Sequence, residues 1–231
     1  MNTLFISDIH LNPGRPKITE IFLEFLSNEA TKAEALYILG DFFDSWIGDD
    51  VMDDFADTIA KALHQLVDKG VKVYLMPGNR DFLYGTLFEE KTGVKLIPDP
   101  TVINLNGTPT LLVHGDNLCS ADRAFQIFRY FVRHPVLTWI FLHTPLTFRQ
   151  KFAQYLRNKS TASNQKKSAY IMDVHQKTVE DMMRKYHVLH MIHGHTHDPK
   201  VVHFKLDGKD ATRTVLGAWE NDKYVLNSDS L

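Results

Sequence analysis

The sequence predicts an α/β protein that carries its chemistry on one sheet edge, and three observations lead there. Short apolar runs alternate with helical periodicity through the first half of the chain. Five polar motifs each follow directly on one of those runs. A basic, aromatic segment beginning at residue 121 breaks the alternation and reads as an insert.

Thr3 to Ser7 is apolar and sheet-prone, and reads as the first strand. From Ile18 to Ala30, Ile21, Phe22, Phe25 and Leu26 share one helical face. Ala35 to Leu39 is the second strand. Val51 to Lys69 repeats the helical spacing through Phe55, Ile59, Leu63 and Leu66, with Gly70 ending it. Val71 to Met76 is the third strand. This β-α-β-α-β run implies parallel strands joined by right-handed crossovers. Val94 to Ile97, Val102 to Leu105 and Thr110 to Val113 read as short strands, with Asn106-Gly107 as a hairpin turn between the last two. From Ala121 to about Asn158, aromatic and aliphatic residues interleave with arginine and break at Pro135 and Pro145. Two or three helices are expected there, followed by a polar loop over 158–167. Ile171 to Tyr186 reads as a helix and Val188 to Ile192 as a strand. Val201 to Phe204, Thr212 to Leu216 and Tyr224 to Leu226 are closing strands. The expected organisation is a core of 1–120 with 168–231, and a helical insert of 121–167.

A chain of 231 residues, 44% hydrophobic, can bury one sizeable core. Cys119 is the single cysteine, so no internal disulfide can form and a reducing compartment is expected. The first strand begins at once, with no basic region before a long apolar stretch, so no signal peptide is expected. The stretch between Arg133 and Arg149 lacks Lys, Arg, Asp and Glu, but it is too short and too interrupted to span a bilayer. The net charge of −2 argues against a nucleic-acid partner. The charge is unevenly placed: 121–170 carries +8 and the remainder −10. A basic attachment on an acidic body suggests a face turned toward an anion.

The five motifs are Asp8-Ile9-His10, Gly40-Asp41-Phe42-Phe43-Asp44, Gly78-Asn79-Arg80-Asp81, His114-Gly115-Asp116 and Gly194-His195-Thr196-His197. Singly, most would be ordinary turns. Together, in order behind strands, they offer carboxylate, amide and imidazole donors to one place. On a pleated strand Asp8 and His10 would face the same side. Asp41, with two oxygens, suits a bridge between ions roughly 3.5–4 Å apart. Oxygen with some nitrogen suits Mn²⁺, Mg²⁺, Fe²⁺ or Zn²⁺. Paired ions of this kind hydrolyse phosphate esters and anhydrides. Asp44 and Asp116 are placed either to orient ligand histidines or metal-bound water, or to serve as turn residues.

On these blocks the chain resembles the calcineurin-like metallophosphoesterases. The resemblance implies a four-layer αββα sandwich flanked by helices, with ions at the strand ends. It implies one ion on Asp8, His10, Asp41 and His197, and another on Asp41, Asn79, His114 and His195. The blocks 36–50, 78–83, 169–174 and 216–219 are similar to the branch of that family acting on a lipid-linked UDP-sugar. That similarity implies hydrolysis of the pyrophosphate of UDP-2,3-diacylglucosamine to UMP and diacylglucosamine 1-phosphate, a step of lipid A synthesis. It also implies two Mn²⁺ and a peripheral position on the cytoplasmic face of a bacterial inner membrane. It implies substrate contacts at Asn79, Arg80, Asp122, Ser160, Asn164, Lys167 and His195, with Asn79, Arg80 and His195 taking part in catalysis. No obligate protein partner is expected.

Arg80 departs from the wider family, most of whose members place a histidine there. A phosphate leaving group, with a second pKa near about 6, needs no proton but gains from a permanent cation. The alternative is an ion pair with Asp81. The insert would supply a lid with an acyl pocket and a membrane face. The alternative is that Phe125, Phe128, Phe131, Trp139 and Phe141 pack into a core. Two other functions stay open: a phosphoesterase acting on cyclic nucleotides or phosphoproteins, and a non-catalytic scaffold of the same fold.

Overall fold

A computed structural model describes residues 2–164, 173–220 and 222–230. Two five-stranded sheets face each other. The first has β1 (Thr3–Ile6), β2 (Ala35–Leu39), β3 (Lys72–Met76) and β4 (Lys95–Leu96) in parallel, with β10 (Leu226–Asn227) antiparallel beside β1. The second runs in the order β5 (Thr101–Leu105), β6 (Thr108–Val113), β7 (His190–His193), β9 (Lys209–Val215), β8 (Lys200–Leu206). Its inner members β6, β7 and β9 are parallel.

Alternation along each strand divides the core into layers. Phe5, Leu39, Met76, Leu112, Ile192 and Leu216 fill the space between the sheets. Leu4, Ile6, Leu36, Ile38 and Leu75 face outward onto α1 (Pro16–Asn28), α2 (Asp54–Asp68) and α3 (Thr86–Thr92) through Phe22, Ile59, Leu63 and Phe88. Leu111, Val113 and Met191 of the second sheet meet Val179 and Met183 of α7 (Gln176–Tyr186). These are four layers, helix–sheet–sheet–helix, as expected.

Several bounds differ for local reasons. The second helix begins at Asp54, because the Asp53 carboxylate caps it by accepting from the Ala56 amide at 2.8 Å. Helix α3 was not legible, since seven residues give too little periodicity. The loop expected over 158–167 is helical as far as Asn164, because α6 (Leu146–Asn164) meets no Gly or Pro to stop it. Residues 165–172 lie outside the described residues, so the start expected for the following helix at Ile171 does too. Helix α7 begins at Gln176. The hairpin at Asn106-Gly107 forms with both residues at positive φ. Helices α4 (Arg123–Val132), α5 (Pro135–Leu142) and α6 lie between β6 and α7 and belong to neither sheet.

Candidate metal centre

Each motif starts where its strand's ladder stops: β1 at Ile6, β2 at Leu39, β3 at Met76, β6 at Val113 and β7 at His193. Asp8, His10, Asp41, His195 and His197 all take left-handed backbone, with φ of 54°, 53°, 50°, 70° and 59°. L-residues avoid this region, and such strain gathers at functional sites. Backbone hydrogen bonds hold it. The Asp8 amide donates to the Gly40 carbonyl at 3.1 Å, His10 to Asp41 at 3.0 Å and Gly194 to His114 at 2.9 Å. The expectation that Asp8 and His10 sit on a pleated strand is therefore corrected. The strand has already ended, and left-handed backbone at Asp8 and at His10, on either side of Ile9, aims the two side chains.

The candidate ligands converge in two groups. Asp8, His10 and His197 offer ligand atoms within 4.8 Å of one another, and so do Asp8, Asp41 and His114. Nε2 of His197 lies 3.3 Å from Oδ1 of Asp8. Nε2 of His114 lies 3.6 Å from Oδ1 of Asp41 and 3.1 Å from Oδ1 of Asn79. The other ring nitrogen of His114 is bonded to the Leu39 carbonyl at 2.8 Å, so Nε2 is the one left for a ligand role. His195 sits edge-on to His114, with ring centroids 5.2 Å apart. Its amide donates to Asp8 at 2.8 Å.

These residues fit a cation. Oδ1 of Asp8 and both ring nitrogens of His10 are buried without a hydrogen-bond partner among the described residues. Burial pushes the Asp41 carboxyl up to about 7, and the charges of Asp81 and Asp8 add to it against His114 and Arg80. Burial disfavours a charged His114, yet Asp41, Asp116 and Asp8 around it lift the ring to about 9. Burial also lowers His10 to about 3, helped by Arg80, and His195 to about 4, helped by His114. Divalent cations held among these residues would balance the buried carboxylates.

Several supporting residues were not foreseen. Asp81 was considered as an ion-pair partner for Arg80; instead it is fully buried. Its carboxylate accepts from the amides of Phe42 at 2.7 Å and Gly78 at 2.8 Å, and from the Tyr84 hydroxyl at 2.7 Å. It thus fixes the turns carrying Asp41 and Asn79. His193 receives Arg213 Nη1 on Nε2 at 3.0 Å, and its Nδ1 reaches the Gly194 carbonyl at 2.8 Å, which sets Nδ1 as the donor and steadies the last motif. No sequence signal marked His193 or Arg213. Gly194 is required by crowding: a Cβ there would strike Oδ2 of Asp8 and the Ser7 side chain. Gly194→Ala is expected to weaken divalent-ion binding by at least about tenfold by displacing Asp8 and His195, as titration calorimetry can measure.

Four of the insert's five arginines turn inward, while Arg123 is exposed. Arg129 Nε pairs with Asp116 at 2.6 Å and its Nη2 with Asp99 at 3.1 Å. Arg133 bonds the Gly78 carbonyl at 2.8 Å. Arg149, 2% exposed, bonds Asp50 and the Ile47 carbonyl. Arg157 Nη1 meets Asp44 at 2.5 Å, and the other Asp44 oxygen holds Arg80 Nη1 at 2.7 Å. Asp44 and Asp116 both bind arginines, a contact beyond the supporting or turn role expected of them. The unequal charge of insert and body is in good part an internal docking interface. Asp122 caps α4 through the Phe125 amide at 3.2 Å. Ser160 and Asn164 lie in the last turns of α6, and Lys167 is outside the described residues.

The aromatic residues of the insert do not all pack inward. Phe141 packs on the core and Phe125 lies near-parallel to His195, centroids 6.4 Å apart, whereas Phe128, Phe131 and Trp139 are exposed. Among the described residues no helix is long and apolar enough to cross a membrane.

Residues 1–199 match the family described as calcineurin-like phosphoesterase. A protein of Pseudomonas paraeruginosa named UDP-2,3-diacylglucosamine hydrolase is 49% identical over 230 residues, covering 100% of this chain and 96% of that one. One of the same name from Edwardsiella ictaluri is 50% identical over 231 residues, covering 100% of this chain and 89% of that one. The solved structure of vacuolar protein sorting 29 from Cryptosporidium parvum is similar with TM-score 0.48 and 16% identity, over 96% of this chain and 76% of that one.

Proposed function

The chain belongs to the calcineurin-like phosphoesterase family, and we propose that its reaction is hydrolysis of the diphosphate of UDP-2,3-diacylglucosamine, giving UMP and 2,3-diacylglucosamine 1-phosphate for lipid A synthesis. The observation that carries this reading is Arg80 beside the two carboxylate–imidazole groups, in a chain about half identical, end to end, to hydrolases of that name. Asp8, His10, Asp41 and His197 would hold one ion, and Asp41, Asn79, His114 and His195 the other. Two Mn²⁺ are proposed. Bound there, they supply an acidified water and neutralise phosphoryl oxygens.

The chain's own groups do the rest. Arg80 Nε lies 3.6 Å from Oδ2 of Asp41, next to the place an ion would occupy, and is half-exposed toward substrate. A guanidinium stays charged as a phosphate departs and grips two of its oxygens. His195, kept neutral by burial, and Asn79 donate hydrogen bonds to the same phosphoryl group. The attacked phosphorus is the uridylyl one. The lipid half lies against the insert: Asp122, Ser160, Asn164 and Lys167 contact the sugar and its phosphate, and the insert of 121–167 supplies a lid with an acyl pocket.

The exposed Ile127, Tyr130, Phe131, Val136, Trp139 and Ile140 support peripheral binding at the cytoplasmic face of the inner membrane. With four arginines docked on aspartates, that attachment depends on apolar insertion more than on charge. Trp139→Ala with Phe131→Ala is expected to release the protein from liposomes in flotation while leaving the far-ultraviolet dichroism unchanged. The substrate itself is tested by purified protein with Mn²⁺ on UDP-2,3-diacylglucosamine and on p-nitrophenyl phosphate. Faster turnover of the lipid is expected; the reverse result would transfer the chain to general phosphoesterases.

A further inference from the structure

The two sides of the candidate metal centre differ. Over His195 and His114 stands the insert, through Phe125. Beside His10 and His197 opens a cavity of about 280 Å³. The described residues that line it belong to the core and include Asn12, Arg15, Arg80 and Glu220. Among the described residues of the insert, Arg157 reaches its edge by holding Asp44. Seven of its nine lining residues carry polar or charged side chains, which suits a polar ligand better than an acyl chain.

The diphosphate proposed above has the same asymmetry, a two-tailed sugar on one phosphate and a nucleoside on the other. In-line displacement sets the attacking water opposite the departing lipid phosphate, and the nucleoside stays on the attacked phosphorus. With the lipid half against the insert, the nucleoside half is left for the side of the centre that the core lines. We infer that the cavity between His10, His197, Asn12, Arg15 and Glu220 is the subsite for the nucleoside of the substrate and of the UMP product. This inference rests on the proposed substrate.

The lining is built for a neutral, hydrogen-bonding ligand. Asn12 is fixed, its Nδ2 donating to the His10 carbonyl at 3.0 Å and its Oδ1 accepting from the Gly14 amide at 2.9 Å. One further amide hydrogen and an oxygen lone pair remain to it, the complement of the amide edge of uracil. Arg15 ties the two loops that form the cavity. Its Nη1 donates to the Ile9 carbonyl at 3.0 Å and its Nη2 to the Trp219 carbonyl at 2.6 Å. The held guanidinium offers a flat face to a base. Glu220 is exposed and lines the same cavity as His197. A carboxylate repels phosphate but accepts from the two hydroxyls of a ribose, so it marks the nucleoside end and not the phosphate end.

The test is calorimetry on the Mn²⁺-loaded full chain, titrated with UMP and separately with 2,3-diacylglucosamine 1-phosphate, for wild type, Glu220→Ala and Asn12→Ala. Each substitution is expected to weaken UMP by roughly tenfold, the loss of one hydrogen bond to a charged or fixed group, and to leave the lipid product's affinity unchanged. KM for the UDP-lipid is expected to rise with it. UMP binding equal in all three proteins, while the wild type turns over the UDP-lipid, overturns the subsite and spares the substrate. A wild type that turns over no UDP-lipid overturns both. Loss of lipid-product affinity in step with UMP also overturns the subsite, since the two halves would then share one wall.

Discussion

Asp41→Ala is expected to abolish binding of the paired ions and to lower kcat on the UDP-lipid by on the order of a thousandfold or more. Asp41 reaches both groups of candidate ligands. Its Oδ1 lies 3.6 Å from His114 and its Oδ2 4.0 Å from His10. Its loss removes a donor from each ion, and paired ions supply several kcal/mol of transition-state stabilisation. The same substitution is expected to spare the fold. Burial first, then the charges of Asp81 and Asp8, push its carboxyl up against the pull of His114 and Arg80, so on balance its charge costs the ion-free protein stability. Thermal unfolding without metal should therefore show a Tm no lower than wild type. The rise in Tm that Mn²⁺ gives the wild type should vanish. Asp41→Asn keeps the shape and should bind ions weakly, separating charge from geometry. A variant that keeps both the Mn²⁺-dependent Tm shift and turnover would remove Asp41 from the centre. Ion binding should also release protons, because the Asp41 carboxyl, pushed up to about 7, and the His114 ring, lifted to about 9, hold them before metal enters. The affinity accordingly falls as pH falls, measurable by titration in buffers of different ionisation enthalpy.

What the sequence reveals is what local pattern and chain order encode. The strands before each motif are apolar runs of period two, and their order makes the first sheet parallel. Metal-competent side chains behind strands are legible for the same reason, since they occupy the first residues that no ladder constrains. What failed needs the third dimension. Asp81 looks like a surface acid beside Arg80, yet it is fully buried and binds three backbone amides of another turn. His193 looks like one more strand residue, and only the β7–β9 register brings Arg213 to it. The charge excess of the insert was legible, but not its direction. Arg129, Arg133, Arg149 and Arg157 pair with aspartates 30, 17, 99 and 113 residues away, and no local pattern carries such separations.

The Arg157–Asp44 pair leads to the second large effect, at Arg80. Arg80→Ala is expected to lower kcat by about a hundred- to a thousandfold, the usual loss when one group facing developing charge is removed. Arg80→Lys should recover only part of it, because an ammonium cannot fork two phosphoryl oxygens. Arg80 does not hold its own position. Asp44 grips its Nη1 at 2.7 Å, and Asp44 is in turn clamped by Arg157 from α6, at 2.5 Å through the carboxylate and 2.8 Å through the carbonyl. Arg80 therefore points at the reacting diphosphate only while the insert is docked. Arg157→Met is expected to lose roughly tenfold in kcat, with Mn²⁺ affinity unchanged because no candidate ligand touches Arg157. Asp44→Asn should resemble it. In the Arg80→Ala background Arg157→Met should cost little more, since the group it positions is already gone. Full additivity of the two would separate the insert from Arg80 and leave Arg157 only a docking contact.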